Sequence, residues 1–485
     1  MEFATCAKRL SHPDASAPEG WSLRPEVPAS MPDVSADGRT YTFTVRPGYR
    51  FSPPSNEHVT AETFRHSIER AIGIGGNGRY VLFDIVGEAE FLAGDAEHIT
   101  GLRASGDILT IELTAPSPDL LERLAVPILC PVPIDTPPVP GGAYAGYPHK
   151  VPLAVPSAGP YYIADYLDGE YTILKRNPSY TGPRPSAFDA IVLREGVDPG
   201  LAVSLVERGS WDGIVHVFDP LLTPTGPVAD EFAAEDASGT APHYVATPNP
   251  LTGFIAFNAS RSAFADADVR RAAALALDRE SITAIWGNML SDQYLPPIMP
   301  GFEDLELYPP DGSGLEEART LMRGRTFTAV LAIPAGNDRS RQEAEVVRSN
   351  LAQIGITVEF QEFAEFGPLF RNPDAEIDLM GAGVGLYYAD PATFLLDMLV
   401  SDYYMPASWV PEGVAEQVEA ISSLTGEERV AAAVALADDL AIDEVPIAAI
   451  LYGATPTLLG PSLGCLVFPP FGYGVDLAAL CPSSN

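Results

Sequence analysis

Hydrophobic and polar positions along the first hundred residues follow two periods. Tyr41, Phe43 and Val45 alternate with polar residues, as one face of a half-buried strand requires. A repeat at helical spacing follows, with Thr60 as a favourable N-cap and Gly73 as the residue at which we expect the helix to end. Strand and short helix segments continue this pattern, so the chain is predicted to be a mixture of both.

The second half of the chain contains the clearest helical pattern. The stretch DADVRRAAALALDRESITAIWG, residues 266–287, is predicted to be strongly helical. Helix and strand segments then alternate between residues 317 and 363, as βαβ units do, which predicts a parallel or mixed sheet covered by helices. A last helix is expected to begin with a capping box formed by Thr425 and Glu428.

The length and the net charge of the chain limit the number of domains and the kinds of partner that it can bind. The chain has 485 residues, of which 46% are apolar, and this is enough for about three domains with their own cores. It carries 65 acidic and 29 basic residues, a net charge of −36. A surface this negative repels phosphate backbones and anionic lipid heads, so we expect no nucleic-acid partner and no anionic membrane partner.

The four cysteines are Cys6, Cys130, Cys465 and Cys481, and none has the CxxC or CxxH spacing of a zinc or redox site. Their even number suggests two disulfides. A bridge between Cys465 and Cys481 would close a short loop, which leaves Cys6 to pair with Cys130. The alternative is four buried thiols; disulfides would indicate an oxidising compartment.

Motifs for catalysis or for a metal are weak. The run GIGGNG at 73–78 matches the dinucleotide fingerprint formally, but it follows a predicted helix, whereas that fingerprint needs a strand before it. The seven histidines include no pair at metal-ligand spacing, and no serine lies in a GxSxG elbow. We therefore predict no enzyme activity, no catalytic residues, no metal site and no cofactor.

An ordered series of segments carries a resemblance. These segments are TFTVRPGYRFSPPSNEHVTAETFRHSIERA at 42–71, AGPYYIADYLDGEYTILKRNPSYTG at 158–182, FNASRSAFADADVRRAAALALDRESI at 257–282 and GVGLYYADPATFL at 383–395. In this order and spacing the chain resembles, from about residue 17 to about 460, the dipeptide and oligopeptide class (family 5) of extracytoplasmic solute-binding proteins that serve ABC importers.

The resemblance implies an α/β, two-lobed periplasmic-binding-protein-like fold (type II, cluster C) with an additional inserted α+β domain. The expected boundaries assign residues 1–37, 150–248 and 455–485 to lobe I, residues 38–149 to the inserted domain and residues 249–454 to lobe II. Family members enclose their ligand between the two lobes. The function implied is capture of a peptide or other oligomeric solute and its delivery to the ABC permease subunits in a membrane, with no chemistry performed.

The resemblance also predicts location and assembly. Family members begin with an export signal, often of the lipoprotein type, whereas MEFATCAKRL lacks the basic and then apolar pattern of a signal. We therefore expect a longer N-terminus carrying a signal, a lipid anchor and a first strand. The expected location is extracytoplasmic, in the periplasm or at the cell surface, and the expected assembly state is a monomer.

The ligand site is expected where two strands cross between the lobes. The resemblance places Leu251, Thr252, Gly253 and Phe254 on one of these strands and Tyr452 on the other, with the glycine allowing a ligand to approach the backbone. Simple strand packing is the alternative for each of them.

The stretch around residue 390 departs from the peptide-binding members of the resembled class. Those members hold a peptide's α-ammonium with an aspartate, and Tyr387 occupies the corresponding position here. Either Asp390 substitutes for that aspartate, or the ligand is not an ordinary peptide. Tyr387 and Tyr388 could stack on a sugar ring or an apolar side chain, although one of them could instead pack in the core.

Other functions stay open at this stage. A non-peptide, oligosaccharide-like solute would suit the two tyrosines. A secreted hydrolase would require carboxylates that meet only in the folded chain, and a signalling receptor or chaperone could use the same fold.

Overall fold

The structure is a computed structural model, and it describes residues 1–74, 82, 84–136, 155–208, 214–216, 243–365, 376–401, 404–460, 462–466 and 475–483. The chain divides into two compact units. Unit 1 comprises residues 1–213, 460–469 and 474–485, and unit 2 comprises residues 214–459 and 470–473.

Unit 1 is built from small antiparallel sheets and short helices. Its strands are β1 (Leu10–Ser11), β2 (Arg24–Pro25), β3 (Asp33–Val34), β4 (Thr40–Thr44), β5 (Leu102–Ser105), β6 (Ile108–Glu112), β7 (Tyr161–Leu167), β8 (Tyr171–Arg176), β9 (Ala190–Arg194), β17 (Leu463–Gly464) and β18 (Cys481–Pro482). Its helices are α1 (Glu2–Thr5), α2 (Ala61–Ile74), α3 (Glu88–Ala93), α4 (Leu120–Arg123) and α5 (Pro199–Glu207). The largest sheet has the strand order β3-β4-β6-β5, and β7, β8 and β9 form another.

Covalent and ionic links join distant segments of unit 1. The structure contains both disulfides, Cys6–Cys130 and Cys465–Cys481, each with its two Cα atoms 5.4 Å apart. The buried guanidinium of Arg184 lies 2.9 Å from Glu26 and 3.1 Å from Asp476. Because these carboxylates lie near opposite ends of the chain, the ion pairs hold both ends of the chain against the segment around residue 184.

Unit 2 contains the long strands and most of the long helices. Its strands are β10 (Ile214–His216), β11 (His243–Phe257), β12 (Met289–Leu290), β13 (Phe327–Pro334), β14 (Ile356–Phe363), β15 (Leu379–Gly385) and β16 (Ile447–Leu459). Its helices are α6 (Ala267–Ala276), α7 (Arg279–Trp286), α8 (Leu315–Met322), α9 (Asp338–Ala352), α10 (Pro391–Leu399), α11 (Val414–Ser422) and α12 (Gly426–Asp439), which a π-helical turn, Leu440–Glu444, continues.

These strands form a mixed sheet with the order β10-β16-β11-β15-β13-β14, to which β12 adds beside β16. Alternate residues of β11 enter two different cores: Ile255 and Phe257 pack with helices α6 to α9, and Phe254 and Ala256 pack with α10 to α12. Strands β13 and β14 are parallel and joined by α9, which confirms the predicted βαβ unit. The sheet therefore has a helical layer on each face.

Three local predictions differ from the structure. The predicted long helix is divided into α6 and α7, because the Asp278 side chain accepts the Ser281 N–H and starts a second helix. Helix α2 continues through Gly73 and ends at Ile74, and residues 75–78 of the GIGGNG run lie outside the described residues. Thr425 precedes α12 without a side-chain capping hydrogen bond, so the predicted capping box is absent.

None of the helices that the structure describes is long and apolar enough to cross a membrane.

Candidate functional site

A cavity of about 390 Å³ opens within unit 2, where two neighbouring strands of the sheet separate. In the described part of the chain, β13 and β15 pair at two positions, Leu331 with Leu379 and Ala332 with Met380. Beyond them β15 continues beside β11, while β13 continues beside β14. Both Ile333 and Gly383 line the cavity. It therefore lies at the carboxyl end of β13, and the carboxyl ends of strands are a common position for ligands in α/β sheets.

Glycines on β15 leave the space above this strand open. A Cβ atom placed on Gly383 would meet nothing closer than the Thr252 carbonyl oxygen at 3.5 Å. A Cβ atom on Gly381 would lie 3.2 Å from Oε1 of Glu343, which is tighter than most real contacts. The absence of a side chain at Gly381 thus makes room for this carboxyl group.

Helix α9 supplies the polar wall of the cavity. Asn337, Ser340 and Glu343 recur at intervals of three residues, so they lie on one side of the helix and all line the cavity. The Asn337 side chain caps the helix by accepting the Ser340 N–H at 3.1 Å. Below them Val347 continues the wall into the apolar core. The cavity is thus apolar at its base and polar along one side.

Glu343 is the acidic residue of this wall, and its environment is unusual for a carboxylate. The indole Nε1 of Trp286, on α7, donates a hydrogen bond to its Oε2 at 2.9 Å. Removal from water raises the pKa of Glu343 to about 7, and the indole hydrogen bond opposes this rise. Near neutral pH the carboxyl group is therefore divided between its charged and neutral forms.

The four predicted residues of β11 divide between the two faces of the sheet. Leu251, Gly253 and Phe254 line the cavity, although the Phe254 side chain is buried in the core on the opposite face. Thr252 is fully buried and donates its hydroxyl to the Tyr294 carbonyl at 2.8 Å. The expectation that Thr252 faces a cavity is wrong, because adjacent strand residues point to opposite faces.

Gly253 does not offer an open backbone for a ligand. A Cβ atom on Gly253 would lie 2.8 Å from Cδ1 of Leu451, its neighbour on β16. The Leu451 side chain therefore covers this glycine, and the accessible glycines are those of β15. A ligand could approach the backbone closely at Gly383, which is exposed, and not at Gly253 as expected.

The predicted tyrosines have different surroundings. Tyr388 is 4% exposed, whereas Tyr387 is half-buried just after the end of β15. Tyr452 is 4% exposed, donates its hydroxyl to the Gln293 carbonyl at 3.2 Å and packs edge-on against Phe302. Burial raises the pKa of Tyr452 above its usual value. Tyr388 and Tyr452 therefore have the exposure of packing residues, and Tyr387 is the more accessible one.

Asp390 is committed to the scaffold in this structure. Its two oxygens each lie 2.9 Å from Arg429, and Oδ1 also accepts the Thr393 N–H at 2.7 Å as the N-cap of α10. Arg429 is 5% exposed and donates to the Ser422 carbonyl as well. Since its charge is already compensated, Asp390 does not need a ligand's ammonium, and its predicted role as the replacement anchor lacks a geometric basis.

The sequence predictions missed Glu343, Trp286 and the β15 glycines Gly381 and Gly383. A signal for Glu343 was available, because it lies four residues before Val347 and hence beside the buried stripe of α9. No group of three or more His, Cys, Asp or Glu side chains that could hold a metal occurs among the residues that the structure describes.

The fold agrees with what comparison with known proteins finds. The model of bacterial extracellular solute-binding proteins, family 5 (middle), matches residues 22–405. The chain belongs to this family. The predicted family and the predicted two-lobed α/β fold are thereby confirmed, whereas the exact domain boundaries stay a prediction.

Relatives and solved structures of the family are distant in sequence. A probable di/tripeptide-binding protein 5 of Pseudomonas aeruginosa is 28% identical over 261 residues, which cover 52% of this chain and 47% of that protein. A dipeptide-binding protein of Lactococcus lactis is 23% identical over 92% of this chain and 84% of its own length. The solved structure of a clavulanic acid biosynthesis oligopeptide-binding protein 2 superposes with a TM-score of 0.81 at 19% identity, covering all of this chain and 91% of that one.

A peptide-bound family structure is also similar. Listeria monocytogenes OppA bound to peptide has a TM-score of 0.68 at 19% identity, with 100% of this chain and 94% of that chain covered. Family 5 is a family of solute-binding proteins, and relatives of this chain are named for the peptides they bind.

Proposed function

We propose that this protein is the substrate-binding component of an ABC import system, and that it binds a peptide and delivers it to a membrane permease without chemical change. The observation that carries the proposal is the family match over residues 22–405. The di/tripeptide-binding and dipeptide-binding relatives support a peptide as the solute class. An extracytoplasmic location, with a lipid-anchored N-terminus, belongs to the same proposal.

The cavity of unit 2 is suited to part of such a ligand. Its volume of about 390 Å³ lies within the usual range of small-molecule sites. Its walls combine apolar side chains such as Leu251 and Ile333 with the polar side of α9 and the glycine backbone of β15. Ligand sites commonly have this combination, since apolar contacts give affinity and a few polar groups fix orientation. On these grounds we propose Leu251 as a ligand contact, whereas Gly253 is covered by Leu451 and the Phe254 side chain lies on the opposite face of the sheet.

The test is a thermal-shift screen of the purified chain against a mixed-sequence dipeptide and tripeptide library, with oligosaccharides in parallel. A peptide present at about 100 times its Kd stabilises the folded protein by about 2.7 kcal/mol, which moves the melting temperature measurably. A shift with peptides supports the proposal. No shift with any peptide at millimolar concentration would overturn peptide binding.

A second candidate is an oligosaccharide-like solute, and Tyr387 is the observation that favours it. This tyrosine is half-buried and follows β15, at the position where the sequence comparison expected an acidic anchor. An aromatic ring with a hydroxyl tip can stack on a sugar ring and form one hydrogen bond. Stabilisation by oligosaccharides but not by peptides would select this candidate.

A further inference from the structure

The carboxyl group of Glu343 is only partly compensated inside the cavity. Trp286 donates to Oε2 at 2.9 Å, and among the described residues no donor to Oε1 is found. Oε1 instead faces the open side of Gly381. An ionised carboxylate that is partly removed from water is less favourable than one in bulk water, and a donor or a cation that approaches its open oxygen stabilises it.

No cation of the protein serves this purpose in the part of the chain that the structure describes. The elements around Glu343 contribute the uncharged Trp286 from α7, Gly253 from β11, Ile333 from β13 and Leu451 from β16, in addition to the β15 glycines. On α9 itself, Arg341 pairs with Glu362 and Arg348 pairs with Glu345. Arg339, four residues before Glu343, forms no ion pair with it, and the causes of the raised Glu343 pKa include no nearby cation. An external positive group therefore has room to reach the carboxylate, and its charge would stabilise the ionised form.

We propose that Glu343 is the anchor for the ammonium group of the solute, held inside the unit 2 cavity between Trp286 and the glycine backbone of β15. The inference rests on the proposed function, because it names the group of the peptide that the cavity recognises. An ammonium donates three hydrogen bonds, and Oε1 accepts one of them. The indole of Trp286 lines the same cavity and holds Oε2, which leaves Oε1 for the ammonium.

Ammonium fits the site better than a neutral donor for two reasons. A charge-assisted hydrogen bond in a poorly solvated cavity is stronger than a neutral one, so it can offset the cost of keeping this carboxylate ionised. The net charge of −36 also favours the approach of cationic solutes over anionic ones. The ammonium could be a peptide's amino terminus or a lysine side chain, and the experiment separates these sources.

The test measures the affinity of wild-type protein and two variants by isothermal titration calorimetry. The ligands are the best-stabilising peptide of the screen, its N-acetyl form, and the N-acetyl form with a lysine side chain added. Glu343→Gln keeps the size of the side chain and an acceptor for the Trp286 N–H while removing the charge. Glu345→Gln, on the exposed side of the same helix, is the matched control.

We expect acetylation to weaken binding to wild type by at least about 30-fold, and Glu343→Gln to weaken binding of the free peptide by a similar factor. Acetylation should then make little difference to the Glu343→Gln protein, and Glu345→Gln should behave as wild type. Recovery of affinity by the lysine-bearing acetylated peptide would identify any primary ammonium, not only an amino terminus, as the recognised group.

Proton release gives a readout that a purely structural role would not change. A bound ammonium favours the ionised carboxylate, so binding near pH 6.5 should release part of a proton, and the measured enthalpy should depend on the buffer's ionisation enthalpy. Glu343→Gln should abolish this dependence.

The outcomes separate the two proposals. Tight peptide binding that acetylation and Glu343→Gln leave unchanged overturns the anchor and keeps peptide binding. Absence of binding by every amine-bearing peptide overturns both.

Discussion

Two carboxylates lie on opposite faces of the unit 2 sheet, Asp390 at the start of α10 and Glu343 in α9. Asp390 receives two hydrogen bonds from Arg429 and one from the backbone of its own helix. Glu343 receives one hydrogen bond, from an indole, and otherwise faces an apolar cavity. A carboxylate whose charge the fold compensates is part of the scaffold, whereas one that the fold leaves poorly compensated is a candidate for contact with a ligand.

The largest effect is expected from removing the partner of the compensated carboxylate. Arg429→Met leaves Asp390 buried without its cation, so the free energy of unfolding should fall by about 3–5 kcal/mol. Urea denaturation of the intact chain measures this loss. The control is Arg348→Met on α9, whose exposed pair with Glu345 should contribute about 0–1 kcal/mol.

A loss below about 1 kcal/mol for Arg429→Met would mean that Asp390 does not depend on this pair. The contrast between the two carboxylates would then fail, and Asp390 would return as a possible anchor for the solute.

A smaller effect of opposite sign is expected at Glu343. Its pKa is raised to about 7 in the folded protein, so between pH 4.5 and 7 the folded state binds more protons than the unfolded state and stability falls as the pH rises. Glu343→Gln should therefore stabilise the ligand-free protein at pH 8 by about 1–2 kcal/mol, less than the full pKa difference implies because the side chain is partly exposed. Melting temperatures at pH 5 and pH 8 should show this gain shrinking toward the lower pH.

Asp397 provides the matched control for this effect. It lies in α10 on the other face of the sheet, is 6% exposed and has an Oδ2 atom without a hydrogen-bond partner. Burial raises its pKa to about 7 as well. Asp397→Asn should reproduce the stabilisation at pH 8 and leave peptide affinity unchanged. If Asp397→Asn weakened peptide binding as much as Glu343→Gln does, the loss of affinity would follow from removing a buried charge anywhere in unit 2. It would then not be evidence that Glu343 contacts the peptide.

The sequence was sufficient for the family, the βαβ unit and the strand that borders the cavity, but not for the cavity's chemistry. Patterns at spacings of two and four residues report burial within one element, so the strand character of residues 251–254 was evident. The prediction that all four of these residues face the cavity was inconsistent with a strand, in which adjacent side chains point to opposite faces. Thr252 accordingly points away from the cavity and donates its hydroxyl to the Tyr294 carbonyl.

The role of Glu343 depends on residues from other parts of the chain. Trp286 is 57 positions away and Gly381 is 38 positions away, so no local pattern links them to α9. For Asp390 the sequence suggested a binding role that the structure does not support, because the residue lies near a family motif. Its partner Arg429 is 39 residues away, so the ion pair could not be inferred from the sequence.

The smallest expected effect comes from crowding the uncompensated carboxylate without removing it. Gly381→Ala places a Cβ atom 3.2 Å from Oε1 of Glu343 and should shift the carboxyl group by a few tenths of an ångström. Affinity for a free-amine peptide should fall by about 3–10-fold, because charge-assisted hydrogen bonds depend on geometry. Gly383→Ala is the control, since its Cβ atom would lie at an ordinary distance of 3.5 Å from the Thr252 carbonyl oxygen.

Gly383→Ala should weaken the binding of free and acetylated peptides alike by narrowing the cavity, whereas Gly381→Ala should reduce the preference for the free amine. Equal effects of the two substitutions on that preference would show that cavity volume, and not the position of the Glu343 carboxylate, controls recognition.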